Sequence, residues 1–151
     1  MNLLITGANG FIGRALTSRL LIERAAPLAG LGPIGRLTLI DLGFDGPEIP
    51  VVRRLHGSIA DPAIVARAFD TPVDVMFHLA SIPGGMAEQH YDLARQVNLD
   101  ATLNLLEAAR AQTIVSSKPV KVVFASSIAV FGSPLPALVE VLLLLPPVPV
   151  T

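Results

Sequence analysis

Thr6-Gly7-Ala8-Asn9-Gly10-Phe11-Ile12-Gly13 spaces three glycines three residues apart, after an apolar run and before an amphipathic one. That is the pattern a phosphate-binding turn requires. Gly7 lets the chain turn tightly off a strand, and bare backbone at Gly10 lets a pyrophosphate come close. Gly13 lets the following helix lie against the strand. The backbone N–H groups of the helix start supply donors and the positive end of the helix dipole. A glycine-rich turn without a ligand is the bland alternative. The strand before and the helix after favour a dinucleotide cradle built from Gly7, Asn9, Gly10, Phe11, Ile12 and Gly13. Asp41 ends the next apolar run. A carboxylate there accepts from the ribose 2′-OH and repels a 2′-phosphate, so it points to NAD, unless it is only a solvated strand-end acid. Its separation from Gly7 exceeds the usual ~20 residues, and a Gly- and Pro-rich loop over 25–35 takes up the excess.

Other chemistry is thinly represented. The chain has 151 residues and no cysteine, which removes disulfides, thiolate metal sites and a cysteine nucleophile. His56, His78 and His90 have no metal-type spacing to one another or to acids and read as structural, so no metal is expected. Eleven basic against twelve acidic residues give a net charge of −1 with no basic run, and the aromatics are six phenylalanines and one tyrosine. Neither the electrostatics nor the stacking surface of a nucleic-acid binder is present. With 52% hydrophobic and 15% charged residues the chain can bury enough surface to fold, and its length suits one domain. No run approaches the ~20 apolar residues of a membrane span, and the N-terminus does not read as an export signal. A cytoplasmic protein without membrane or nucleic-acid partners is the expectation.

The elements that would position the glycine turn alternate strand and helix. Strands are expected over Asn2–Thr6, Arg36–Asp41, Val51–Leu55, Val73–Leu79 and Val120–Ala125, with apolar runs of the buried parallel kind. Between them lie a helix over Phe11–Arg24 with Ile12, Leu16 and Leu20 on one face, and a helix from Asp61 to about Phe69. A long helix over Glu88–Ala111 stacks Val97, Ala101 and Leu105. Asp61-Pro62 reads as a helix start, the acid capping free N–H groups and the proline occupying the first turn. The alternation predicts an α/β, doubly wound parallel sheet of the Rossmann type. Residues 137–151, rich in Leu, Val and Pro, fit no regular element.

Four segments taken together carry a resemblance: TGANGFIG at 6–13, His78-Leu79-Ala80-Ser81, Val97-Asn98, and Ala125-Ser126-Ser127-Ile-Ala-Val-Phe-Gly132. Over residues 1 to about 136 the chain resembles the extended short-chain dehydrogenase/reductases, the NAD-dependent epimerase/dehydratase group. Within it, the D-erythronate dehydrogenase branch is the most similar. The resemblance implies an NAD-binding domain over 1–136, with Leu79, Ala80 and Ser81 lining the cofactor and Asn98 steadying the strand ends near the nicotinamide ribose. It makes Ser127 the catalytic serine, with Ala125 and Ser126 flanking the nicotinamide. It implies hydride chemistry on a small substrate, a sugar acid or nucleotide sugar, and pairing of two chains through long helices such as that over 88–111.

Two positions depart from the family pattern. Ser58 stands where an acid often accepts from the adenine amino group, so adenine recognition would lean on the backbone of Ile59. The family's Tyr-x-x-x-Lys pair, tyrosine as acid/base and lysine lowering its pKa, follows the serine by about two dozen residues, a count that reaches Thr151. Tyr91-x-x-x-Arg95 has similar spacing but lies upstream in another element. The chain therefore reads as the cofactor half of an oxidoreductase, cut or frame-shifted ahead of its acid/base pair and its substrate-binding part. A non-catalytic NAD-binding module and an inactive truncation product are the alternatives.

Overall fold

The computed structural model describes residues 1–23 and 32–126. β1 (Asn2–Thr6) runs into the glycine turn, and α1 (Phe11–Ile22) follows. β2 (Arg36–Asp41) pairs with β1, and β3 (Val52–His56) with β2. α2 (Pro62–Ala68) leads to β4 (Val75–His78), which pairs with β1 on its other side. β5 (Lys121–Phe124) pairs with β4. Every pairing is parallel, and the order β3-β2-β1-β4-β5 is that of a doubly wound sheet. The expected fold class is the observed one.

A parallel sheet with helices on both faces needs apolar side chains on both sides of its strands. β1 supplies them alternately. Leu3 and Ile5 pack with Leu37, Leu39 and the α1 residue Leu20 on one face. Leu4 packs with Ile40, Leu55, Met76 and the α2 residue Ile64 on the other, where Leu105 also lies. Leu4 and Ile5 are fully buried. β5 departs from the expected buried strand: at the edge of the described sheet, all four of its residues are exposed.

Three helical expectations change. On α1 the buried residues are Gly13 and Leu20, while Ile12 is 60% exposed. The first turn lies so near β1 that the closest position takes a glycine, and the apolar face begins one residue later than spacing alone suggested. α1 ends at Ile22, and Arg24 lies outside the described residues. The expected single helix over 88–111 is four pieces: α3 (Gly84–Gln89), α4 (Tyr91–Arg95), a π-turn (Gln96–Asp100) and α5 (Ala101–Ser116). His90, at φ −130° and ψ 60°, breaks the chain between α3 and α4. Ala101 and Leu105 are buried, and half-buried Val97 packs against the same cluster.

β4 is shorter than expected. Leu79, just past the end of the observed strand, still donates to the Thr6 carbonyl at 3.2 Å, and a side-chain amide takes the ladder's place at Val73, ahead of β4. Before it, the Val73 N–H donates to Gln112 Oε1 and the Val73 carbonyl accepts from Gln112 Nε2, both at 2.8 Å. After it, Asn98 repeats the device on Ile82: the Ile82 N–H donates to Oδ1 at 2.8 Å, and Nδ2 donates to the Ile82 carbonyl at 3.0 Å. Both amides come from the helical layer over 96–116. The π-turn carries Asn98, and π-turns recur where a helix must present a side chain out of ordinary register.

Candidate functional site

The loops after β1 and β4 diverge to opposite sides of the sheet, which opens a crevice at the carboxyl ends of the strands. This is where open α/β sheets bind ligands. The glycine turn forms its floor. Gly7 sits at φ +67°, and a Cβ on it would lie 2.7 Å from the Ala80 backbone nitrogen. A Cβ on Gly13 would meet the Gly7 carbonyl oxygen at 2.2 Å, so only glycine lets α1 approach β1 this closely. Gly10 differs: a Cβ there meets one atom, the Gly7 carbonyl oxygen at 3.2 Å. Chain packing explains the glycines at 7 and 13; at 10 the bare backbone leaves the crevice side open.

α1 begins at Gly10 with extended backbone, no side-chain cap and no acid in its first turn. The first N–H to find a helical acceptor is that of Arg14, which donates to the Gly10 carbonyl. The amides of Phe11, Ile12 and Gly13 are the donors a helix start leaves over. Among the described residues no side chain takes them. Phe11 is 87% exposed and Ile12 60%, and neither lines the cavities described below.

Asp41 stands beside this turn. Its Oδ2 accepts from the Asn9 N–H at 2.8 Å and its Oδ1 from the Leu42 N–H at 2.7 Å. Each carboxylate oxygen keeps acceptor capacity after one such bond. The two amides lock the rotamer and leave the acid able to accept from a ribose diol. Ser58 is turned inward: its Oγ accepts from the Ala60 N–H at 3.1 Å, and its carbonyl from the Asp61 N–H at 3.0 Å. It shapes the turn after β3 and, with Ile59, forms part of the wall.

Two cavities share the segment 79–82 as a partition. One, of about 510 Å³, lies between Gly7, Asn9, Gly10, Asp41, Ser58 and Ile59 on one side and Leu79, Ala80 and Ser81 on the other. The second, of about 650 Å³, has the same Leu79–Ser81 segment, Asn98, Thr102, Ala125 and Ser126 in its walls. Of the expected contact residues that the structure describes, Gly7, Asn9, Gly10, Asp41, Ser58, Ile59, Leu79, Ala80, Ser81, Asn98, Ala125 and Ser126 line these two cavities, and Phe11, Ile12 and Gly13 line neither. Ser127 and residues 137–151 lie outside the described residues. Sequence reasoning did not place Leu42, Leu93 or Val97 at a site; they line the first cavity together with Ile40, Gly57 and Ile82. Leu42 is 78% exposed immediately after Asp41, an apolar residue at a strand end that was the available signal. Leu93 had none, because its position depends on the break at His90. His56 packs edge-on to Phe44 at 5.0 Å, and His78 is buried beneath the partition.

The chain matches the NAD dependent epimerase/dehydratase family over residues 3–151. It is 41% identical over 146 residues to a D-erythronate dehydrogenase of Cupriavidus necator, covering 93% of this chain and 43% of that protein. Among solved structures it is similar to a nucleoside-diphosphate-sugar epimerase from Agrobacterium tumefaciens, with a TM-score of 0.79 and 37% identity over 90% of this chain and 40% of that one. It is also similar to the Bordetella bronchiseptica enzyme WbmF in complex with NAD+, with a TM-score of 0.66 and 27% identity over 85% and 36% of the two chains. The chain spans about two fifths of the length of the relatives it matches.

Proposed function

The chain belongs to the NAD dependent epimerase/dehydratase family, and we propose that it is the NAD-holding part of an oxidoreductase acting on a sugar acid or a nucleotide sugar. The observation that carries this reading is the start of α1: main-chain donors without a protein cap, a residue without a side chain at Gly10, and an oriented carboxylate at Asp41, side by side in one crevice. The Phe11, Ile12 and Gly13 amides hold the diphosphate, and Asp41 accepts from the adenosine ribose. Ser58 and Ile59 border the adenine side. Leu79, Ala80 and Ser81 separate the two halves of the dinucleotide, and Asn98 fixes that partition through Ile82. Ala125 and Ser126 border the nicotinamide side, while Ser127 hydrogen-bonds the substrate oxygen. When bound, NAD supplies a nicotinamide carbon that takes or gives hydride. The cofactor domain runs over residues 1–136. We place the protein in the cytoplasm as a homodimer paired through the helical layer over 88–111. Among the described residues no helix is long and apolar enough to cross a membrane.

Calorimetric titration with NAD tests the reading. The wild-type chain is expected to bind, and Gly10→Val is expected to lose detectable binding while keeping its far-UV circular dichroism. An unchanged affinity in Gly10→Val, or no binding by the wild type, refutes it.

A further inference from the structure

We infer that His78 is a positioning residue, a fixed neutral imidazole through which the glycine turn and the π-turn jointly hold the 79–82 partition in place. The inference rests on the NAD reading only for its consequence; the hydrogen bonds stand apart from it. His78 is 3% exposed, and each ring nitrogen meets a threonine hydroxyl. Nδ1 lies 2.7 Å from Thr6 Oγ1, and Nε2 lies 2.8 Å from Thr102 Oγ1.

The tautomer follows by elimination. Thr102 spends its hydroxyl proton on the Asn98 carbonyl at 2.9 Å, so towards His78 it can only accept. Nε2 therefore carries the ring proton, and Nδ1 is an acceptor that takes the Thr6 hydroxyl proton. Thr6 Oγ1 in turn accepts the N–H groups of Leu79 and Ala80, each at 3.2 Å, the Leu79 N–H being shared with the Thr6 carbonyl, also at 3.2 Å. Its lone pairs are then both used. A second ring proton would point Nδ1–H at an oxygen with nothing left to offer, and burial independently pushes the His78 pKa down.

The result is one continuous relay. Leu79 and Ala80 bond to Thr6, Thr6 to His78, His78 to Thr102, Thr102 to the Asn98 backbone, and the Asn98 amide to Ile82. Both ends of the relay grip the same partition. Thr6 immediately precedes Gly7, whose close approach to Ala80 depends on that segment staying in place. Buried networks of this kind hold one arrangement when every member is satisfied and lose it together when one is removed.

The experiment measures the imidazole nitrogen shifts of wild-type His78, amide exchange, and NAD affinity in His78→Leu and His78→Asn. The wild-type ring is expected as the Nε2–H tautomer at neutral pH. In His78→Leu, exchange at Ala80 and Ile82 should accelerate together, while the β1 amides and that of Leu79, which keeps the Thr6 carbonyl, stay protected. NAD affinity should fall about tenfold. His78→Asn places an acceptor near the Nδ1 position and should restore protection at Ala80 and most of the affinity. If His78→Leu does not fold, Thr102→Val removes the Nε2 partner while leaving the Thr6 hydroxyl in place, and should give the same pattern. A charged ring or the Nδ1–H tautomer overturns the inference. So does unchanged exchange at the partition, unchanged NAD affinity in His78→Leu, or an asparagine variant no better than leucine. A wild-type chain that fails to bind NAD defeats the cofactor reading instead, and the ring shifts and exchange rates still decide the relay.

Discussion

Two helices leave the carboxyl edge of one sheet, α1 after β1 and α2 after β3, and their first turns are finished differently. At α2, Asp61 Oδ1 accepts the Ala63 N–H at 2.9 Å, and Pro62 in the first turn has no N–H to satisfy. At α1 the capping position is Gly10, with φ −70° and ψ 172°, dihedrals open to an aspartate or serine once the Gly7 carbonyl, 3.2 Å from a Cβ there, gives by a few tenths of an ångström. The backbone is ready for a cap and the side chain is missing. A helix start with a protein cap is a structural joint. One without it, in a crevice beside an oriented carboxylate, is a socket for an anion.

The sharpest way to break this contrast is to give α1 the cap that α2 has. On the proposed reading, Gly10→Asp puts a carboxylate on the donors that would hold the diphosphate and adds a like charge there. NAD binding should weaken by at least about 100-fold, roughly 3 kcal/mol. The melting temperature of the free chain should hold or rise, because an N-cap acid contributes about 1 kcal/mol. Calorimetry and thermal denaturation read the two effects separately. Retained NAD binding would mean the diphosphate sits elsewhere.

Asp41 tests the same socket from its side. Asp41→Ala removes the partner of the Asn9 N–H and, on the proposed reading, the ribose acceptor and the charge that opposes a 2′-phosphate. NAD affinity should fall about tenfold, the loss expected when a charged acceptor is removed. The preference for NAD over NADP should narrow. Competition titrations with both dinucleotides check this, and an unmoved preference would reduce Asp41 to a brace for the glycine turn.

How much of this could be read in the chain follows from how local each determinant is. The glycine turn, Asp41 and the Asp61-Pro62 cap are each specified within a few residues, so spacing and residue type suffice. The burial of Gly13 in place of Ile12 is not local. It depends on the distance between α1 and the Gly7 carbonyl, which hydrophobic spacing does not encode. The break at His90 and the π-turn at 96–100 were missed for a related reason. Val97, Ala101 and Leu105 keep a helical period through the π-turn, so periodicity sees one helix while Asn98 is drawn out to grip Ile82. Leu93 could not be assigned to the cavity without that break. β4 starts later than its residue types imply because Val73 is of a strand-favouring type and is held by Gln112 instead.

If α2 is a closed joint, damage there should cost stability and leave cofactor binding alone. Asp61→Ala should destabilise the chain by about 1 kcal/mol. NAD affinity, measured under conditions where the variant is folded, should be that of the wild type. A matching loss of affinity would mean that the turn over 57–61 shapes the adenine side more than its cap suggests.

The far end of α2 gives the smallest effect. Asp70, just past the helix, takes a bidentate ion pair from Arg53 of β3 at 2.6 and 2.8 Å, tying the helix end back to the strand it came from. The Arg53 guanidinium holds the Asp70 carboxyl below its ordinary value. A carboxyl whose pKa is lower folded than unfolded stabilises the fold above the unfolded value of about 4 and loses that contribution as pH falls through the folded value. Asp70's side chain is 50% exposed, so screening limits the pair to roughly a few tenths of a kcal/mol. Arg53→Ala should therefore melt slightly below the wild type at pH 7, and the gap should close in acid and shrink in high salt. The gap at pH 7 should be the same with and without saturating NAD, because α2 is finished at both ends by the chain itself. A gap that changed with NAD would show that the second helix, too, responds to the ligand.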